Sequence, residues 1–178
     1  MPLLFLSLTL HELAHTLLAS RLGYTIESIA IQPFGFVASL AGDIDEWDAL
    51  CIAAAGPLCS LIAGSACFAL QDWAVIGPAL SGFGRANLMI GLVNLLPALP
   101  LDGGRILRAC LFRITAEAHR LAAWIGMAAA AVFFALGVLL LWENNATMLF
   151  MGLFLLPASY LELREAINGK SRALLCCV

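Results

Sequence analysis

Residues 8–22 read LTLHELAHTLLASRL. Two histidines and a glutamate stand inside a stretch that is otherwise apolar enough for the interior of a bilayer. Around it, residues 3–22 form an apolar run that, as a helix at ~1.5 Å per residue, just crosses ~30 Å of hydrocarbon. Pro2 suits a first helical position, and Arg21 and Gly23 suit an end. His11 and His15 fall at i and i+4, so one helix face carries both imidazoles and can bind a single zinc ion. Glu12 is turned roughly 100° around the axis from His11. From there its carboxylate can take a proton from a water whose pKa a zinc ion has lowered to about 7. Ionisable groups in hydrocarbon cost about 3 kcal/mol each on insertion scales, so they point to function. Three plainer readings compete. The histidines could be core residues bonded to neighbouring helices. Glu12 could pair with Arg21, although that distance is too long for direct contact along one helix. The pattern could also arise by chance.

The whole chain agrees with a membrane setting. Of its 178 residues, 62% are hydrophobic and only 12% charged, too few polar groups to cover a globule in water. The net charge of −3, with no dense basic patch, excludes a nucleic-acid partner. Cys51, Cys59, Cys67, Cys110, Cys176 and Cys177 form no CxxC pair and no secreted disulfide framework. The first three recur along one helical stripe and read as small packing residues. The N-terminal MPLLFLSLTL lacks a basic start and a cleavage site, and is not expected to be a signal peptide.

Four further apolar segments follow, at about 47–70, 83–99, 121–142 and 148–163. The fold class is therefore an all-α polytopic membrane protein with about five transmembrane helices. Between the first two segments, IESIAI and VASL alternate on either side of Pro33 and Gly35. They predict a small membrane-associated β-hairpin at about 25–42. Backbone at that depth must be paired within the protein or line a wet cavity. If the spans alternate, Arg21, Arg105, Arg108, Arg113, Arg120, Arg164, Lys170 and Arg172 fall on one side and only Arg85 on the other. The positive-inside rule makes the rich side cytoplasmic and places His11 and His15 toward it.

A catalytic zinc has three protein ligands and one open position. The third ligand is sought in NLLPALPLDGG, residues 94–104. Pro97 and Pro100 break the helix there, and Gly103 and Gly104 allow close approach. Asp102 lies on this irregular segment at a depth compatible with His15. The alternative is an N-cap aspartate for a helix over 103–112. His119, in a charged loop, reads as an interfacial histidine rather than a ligand. Asn94 could bind a substrate backbone or an oxyanion, or could equally hold two helices together.

HELAH at 11–15, AAGP at 54–57 and NLLPALPLDGG at 94–104 occur in the order seen in one family. The chain resembles the site-2 proteases, membrane-embedded zinc metalloproteases, over about residues 3–105. Within them it looks most like the compact branch without a PDZ domain, which includes the sporulation protease acting on a pro-sigma factor. That branch commonly has a span before the HExxH helix and often a C-terminal nucleotide-sensing domain. The present sequence shows neither, as expected of a minimal member or of one lacking its N-terminus.

The resemblance implies a three-helix core within residues 1–105 and one Zn2+ per chain. His11, His15 and Asp102 would be the ligands, Glu12 the general base, and Asn94 a substrate-binding or polarising group. The hairpin residues Pro33, Phe34 and Gly35 would help bind substrate, which could add as a strand to the hairpin edge. Residues 106–167 would form a cytoplasmic connecting helix and two further spans, and 168–178 a short tail. The expected function is intramembrane peptide-bond hydrolysis in the bacterial cell membrane, with the site toward the cytoplasm. Its partners would be the lipid bilayer, a membrane-spanning or membrane-associated protein substrate, and an inhibitory or regulatory membrane protein. Two rivals are a metal transporter using the same three ligands and a catalytically silent relative that only binds membrane segments. No inverted repeat supports the first. The intact ligand set and Glu12 speak against the second.

Overall fold

A computed structural model describes residues 2–32, 35–40, 44–72, 77–99, 101–140 and 147–168. Six helices and two strands occur among them: α1 (Pro2–Arg21), β1 (Ile26–Gln32), β2 (Gly35–Leu40), α2 (Glu46–Ala69), α3 (Gly77–Asn94), α4 (Asp102–Phe112), α5 (Ala118–Leu140) and α6 (Thr147–Ile167). They fall into two compact units, one ending at Leu95 and the other beginning at Leu96. The helices spanning Pro2–Arg21, Glu46–Ala69 and Ala118–Leu139 are each long and apolar enough to cross a membrane. With them the chain is an integral membrane protein built mainly of helices.

In the first unit α1, α2 and α3 pack on one another, and β2 packs against α1. Helix α1 is turned inside out relative to a soluble helix. His11 and His15 are 2% and 1% exposed, while Leu13 and Leu17 are 56% and 51% exposed. Ser7 and Ala19 complete the buried stripe at four-residue intervals. In a lipid solvent the apolar face points outward without cost, and the polar groups must find partners inside. Gly23 ends α1 at φ 93°, where a side chain would be strained. The Gly23 amide donates to the Ser20 carbonyl and the Tyr24 amide to that of Ala19. This pair of bonds is the Schellman ending, which satisfies carbonyls the helix leaves over.

Strands β1 and β2 pair antiparallel, from Ile26 opposite Leu40 to Gln32 opposite Gly35, with an irregularity between Ile26 and Ser28. Pro33 and Phe34 lie outside the described residues. Asp45 caps α2 by accepting from the Trp47 amide at 2.9 Å. Helices α2 and α3 approach closely through glycine. A Cβ on Gly84 would lie 3.2 Å from the Gly64 carbonyl oxygen, and one on Gly91 3.1 Å from that of Pro57. Small residues serve this purpose where lipid leaves van der Waals contact as the main force between helices.

Helix α3 differs from the segment expected at 83–99. It begins at Gly77 and ends at Asn94. Gly77-Pro78 reads as a break in sequence, yet proline is tolerated in a first turn because that amide has no helical partner anyway. At the other end Leu95, Leu96 and Leu99 continue the apolar run, but Pro97 removes a donor and the chain leaves the helix. In the second unit α4 and α6 each pack on α5. Ala98, Ala130 and Leu155 form its buried cluster, with Leu101, Phe133, Met151 and Leu156 against it.

Candidate metal centre

Helix α1 supplies His11 and His15, and α2 determines how their rings stand. Ile52, Gly56 and Ser60 recur every four residues along α2, so they share one face. His11 Nδ1 is 3.0 Å from Ser60 Oγ, and His15 Nδ1 is 2.6 Å from the Ile52 carbonyl oxygen. The Ile52 carbonyl can only accept, so His15 carries its proton on Nδ1. Four residues of α1 thus face eight of α2, about 6 Å against about 12 Å of rise. The rings splay apart at Nδ1 and converge at Nε2. The two Nε2 atoms are 3.3 Å apart, with ring centroids 4.9 Å apart and planes at 79°.

Gly56 sits where the rings converge. A Cβ there would overlap His15 Nε2 and lie 2.8 Å from His11 Nε2. The arrangement fits a divalent metal. Two buried imidazoles present Nε2 toward a common point, and the Nδ1 partners fix ring orientation as in known His–metal sites. Glu12 follows His11 and is half-buried.

No motif singles out Ser60 or the Ile52 carbonyl, and Gly56 stands only within AAGP. Small residues in an apolar helix look like packing, and a backbone carbonyl leaves no trace in sequence. The recurrence of Ile52, Gly56 and Ser60 at four-residue spacing was the available signal.

Asn94 is the last residue of α3. Its amide donates to the Ile90 carbonyl at 3.1 Å, a bond within its own helix. About two turns earlier, buried Asn87 donates to Ser7 Oγ at 2.8 Å and to the Phe83 carbonyl at 2.9 Å. Its Oδ1 has no partner among the described residues.

In the second unit Asp102 is the first residue of α4, and Leu101 is the N-cap, with no side-chain cap bond. The N-cap position thus falls on Leu101, one residue before the aspartate. Asp102 is buried, and Arg105 donates to its Oδ1 at 3.3 Å. A carboxylate in a first helical turn is also favoured by the helix dipole. Gly104 is held close to the preceding chain: a Cβ there would lie 2.6 Å from the Leu99 nitrogen. His119, at the start of α5, is half-buried in the field of Arg108, Glu162 and Glu165. Cys51, Cys59 and Cys67 are half-buried free thiols, and Cys110 is an exposed one.

Residues 1–77 and 71–140 match the model of peptidase family M50. A zinc metalloprotease of Methanocaldococcus jannaschii is 37% identical over 158 residues, which is 85% of this chain and 45% of that protein. Stage IV sporulation protein FB of Bacillus subtilis is 34% identical over 107 residues, or 58% of this chain and 37% of that protein. The solved site-2 protease from Methanocaldococcus jannaschii superposes with a TM-score of 0.73 at 36% identity, covering 91% of this chain and 76% of that one. The chain thus spans less than half the length of these curated relatives. The HELAH helix, its imidazole pair and both blocks of the family match lie in one stretch of sequence: the chain belongs to peptidase family M50.

Proposed function

We propose that this protein is an intramembrane zinc endopeptidase that hydrolyses peptide bonds in or near membrane-spanning or membrane-associated segments. The observation that carries this reading is the convergence of His11 and His15 Nε2 beneath Gly56. His11, His15 and Asp102 hold one zinc ion. All three are buried, and they offer two imidazole nitrogens and a carboxylate oxygen, the donor number of a catalytic zinc. The names of the relatives, zinc metalloprotease and site-2 protease, support the same metal and the same reaction. When bound, zinc supplies a Lewis acid that polarises the scissile carbonyl and makes water a nucleophile near neutral pH.

The chain's own residues do the rest. The Ile52 carbonyl fixes the tautomer of His15, and with Ser60 it sets the tilt of the two imidazoles. Glu12 takes the proton of the attacking water and returns it to the leaving amine. Asn94, at the end of α3, binds the substrate backbone or the developing oxyanion. The β1–β2 hairpin lies at the membrane and offers a strand edge to an unwound substrate. Helices α3 and α6 join α1, α2 and α5 to make five spans, with the site toward the cytoplasm of a bacterial cell.

Co-expression with candidate single-span or sigma-factor precursors tests this, comparing wild type with Glu12→Gln. The proposal expects cleavage by the wild type and none by Glu12→Gln at unchanged zinc content. A metal transporter would still move metal after that substitution.

A further inference from the structure

We infer that Ser159, on α6, is a positioning residue for Asp102. The inference rests on Asp102 being a zinc ligand. Leu99 lies outside any helix, three positions before Asp102 at the start of α4. At membrane depth a buried carbonyl needs a donor from the protein. Ser159 supplies it: its Oγ donates to the Leu99 carbonyl oxygen at 2.8 Å, across sixty positions of sequence. A serine inside a helix ordinarily bonds back to its own i−4 carbonyl. Ser159 instead reaches out of α6 to the segment that delivers Asp102.

The surroundings make that bond decisive. Ser159 is 1% exposed, and Ala98 and Leu99 are buried beside it. Gly104 of α4 and Gly126 of α5 meet the same segment from other directions: Cβ atoms there would lie 2.6 Å and 3.1 Å from the Leu99 nitrogen. These glycine contacts limit how close α4 and α5 come, but they carry no direction. The Ser159 hydroxyl is directional, and it fixes the rotation of the peptide three residues before Asp102. A metal ligand must be held to about 0.5 Å of its productive place, so a peptide free to rotate here releases the carboxylate. Helix α6, outside the three-helix core that the motifs define, thereby sets the geometry of the third ligand.

The test uses the full chain in detergent, loaded with zinc and then challenged with a chelator, reading retained zinc by mass spectrometry and stability by thermal unfolding. Ser159→Ala should release zinc at about tenfold lower chelator concentration, the usual scale for losing a group that supports a ligand. Ser159→Thr, which keeps the hydroxyl, should hold zinc as the wild type does. Leu156→Ala, which loosens the same cluster without touching the Leu99 carbonyl, should lower the unfolding temperature and keep zinc. Equal zinc retention by Ser159→Ala and wild type overturns the inference, as does equal zinc loss in Leu156→Ala. Should Ser159→Ala not fold, Ser159→Cys, a weaker donor of similar size, is read in its place with the same outcomes. Asp102→Asn separates the two levels. If it retains zinc like the wild type, the ligand assignment falls and this inference with it. If it loses zinc while Ser159→Ala does not, only the role of Ser159 falls.

Discussion

His11 and His15 turn their Nε2 atoms toward each other at 3.3 Å because α2 holds the opposite side of each ring. Their orientation costs ordering of both rings and is fixed by bonds that come from another helix. That is the arrangement expected where a cation is to be shared.

Ser60 holds His11 through Nδ1 at 3.0 Å, with both side chains buried. Ser60→Ala removes this partner and frees the ring to turn. Stability should fall by about 1 kcal/mol, the net worth of one hydrogen bond. Zinc affinity should fall about 10-fold or more, since outer partners of ligating histidines matter that much. Competition with a chromogenic chelator measures the second effect separately from the first.

Gly56→Ala gives a sharper contrast. In an ordinary helix interior this change stabilises by roughly 0.5–1 kcal/mol. Here the new methyl group would meet both Nε2 atoms. The expected result is a protein with near-wild-type helix content by circular dichroism, close to no bound zinc and no proteolysis.

Asn87 is a buried amide that makes two donor bonds and leaves its oxygen without a partner among the described residues. The unmade acceptor bond offsets much of what the donors contribute. Asn87→Leu should therefore cost less than about 1 kcal/mol, because it removes the stranded oxygen together with the two bonds. Thermal unfolding in detergent checks it.

Tyr24 lies just beyond α1 and donates to the Asp48 carboxylate at 2.7 Å. That bond and partial burial raise its pKa above the ordinary 10.0. The sign follows directly: the folded state favours the neutral phenol, so the contribution is complete below pH 10.0 and is lost as pH rises through the higher folded value. Tyr24→Phe should lower the unfolding temperature at pH 8 and flatten its decline above about pH 10. An unchanged alkaline decline in the variant would contradict this.

The placement of α1 was readable because a polar triplet in an apolar run has few explanations, and α2, expected at about 47–70, spans Glu46–Ala69 because its apolar run is unbroken. The limits of α3 were not readable. Gly77-Pro78 can either break a helix or begin one, and only packing against α1 and α2 decides. Asp102 was legible as a chemically loaded residue after two prolines, whereas its position as first residue of α4, with Leu101 as the cap, was not. Ser60 and Ser159 were invisible because a serine in a membrane helix is ordinarily silent. Their roles arise from partners 49 and 60 positions away, which no local pattern encodes.

Zinc X-ray absorption spectroscopy on purified Glu12→Gln protein tests the central claim most directly. The account predicts one zinc per chain, two imidazoles at about 2.0–2.1 Å, oxygen in the remaining positions and no sulfur. It also predicts loss of that spectrum in His11→Ala and in Asp102→Asn. A zinc-free preparation, a sulfur shell at about 2.3 Å from cysteine, or an unchanged spectrum in either of those variants would contradict it.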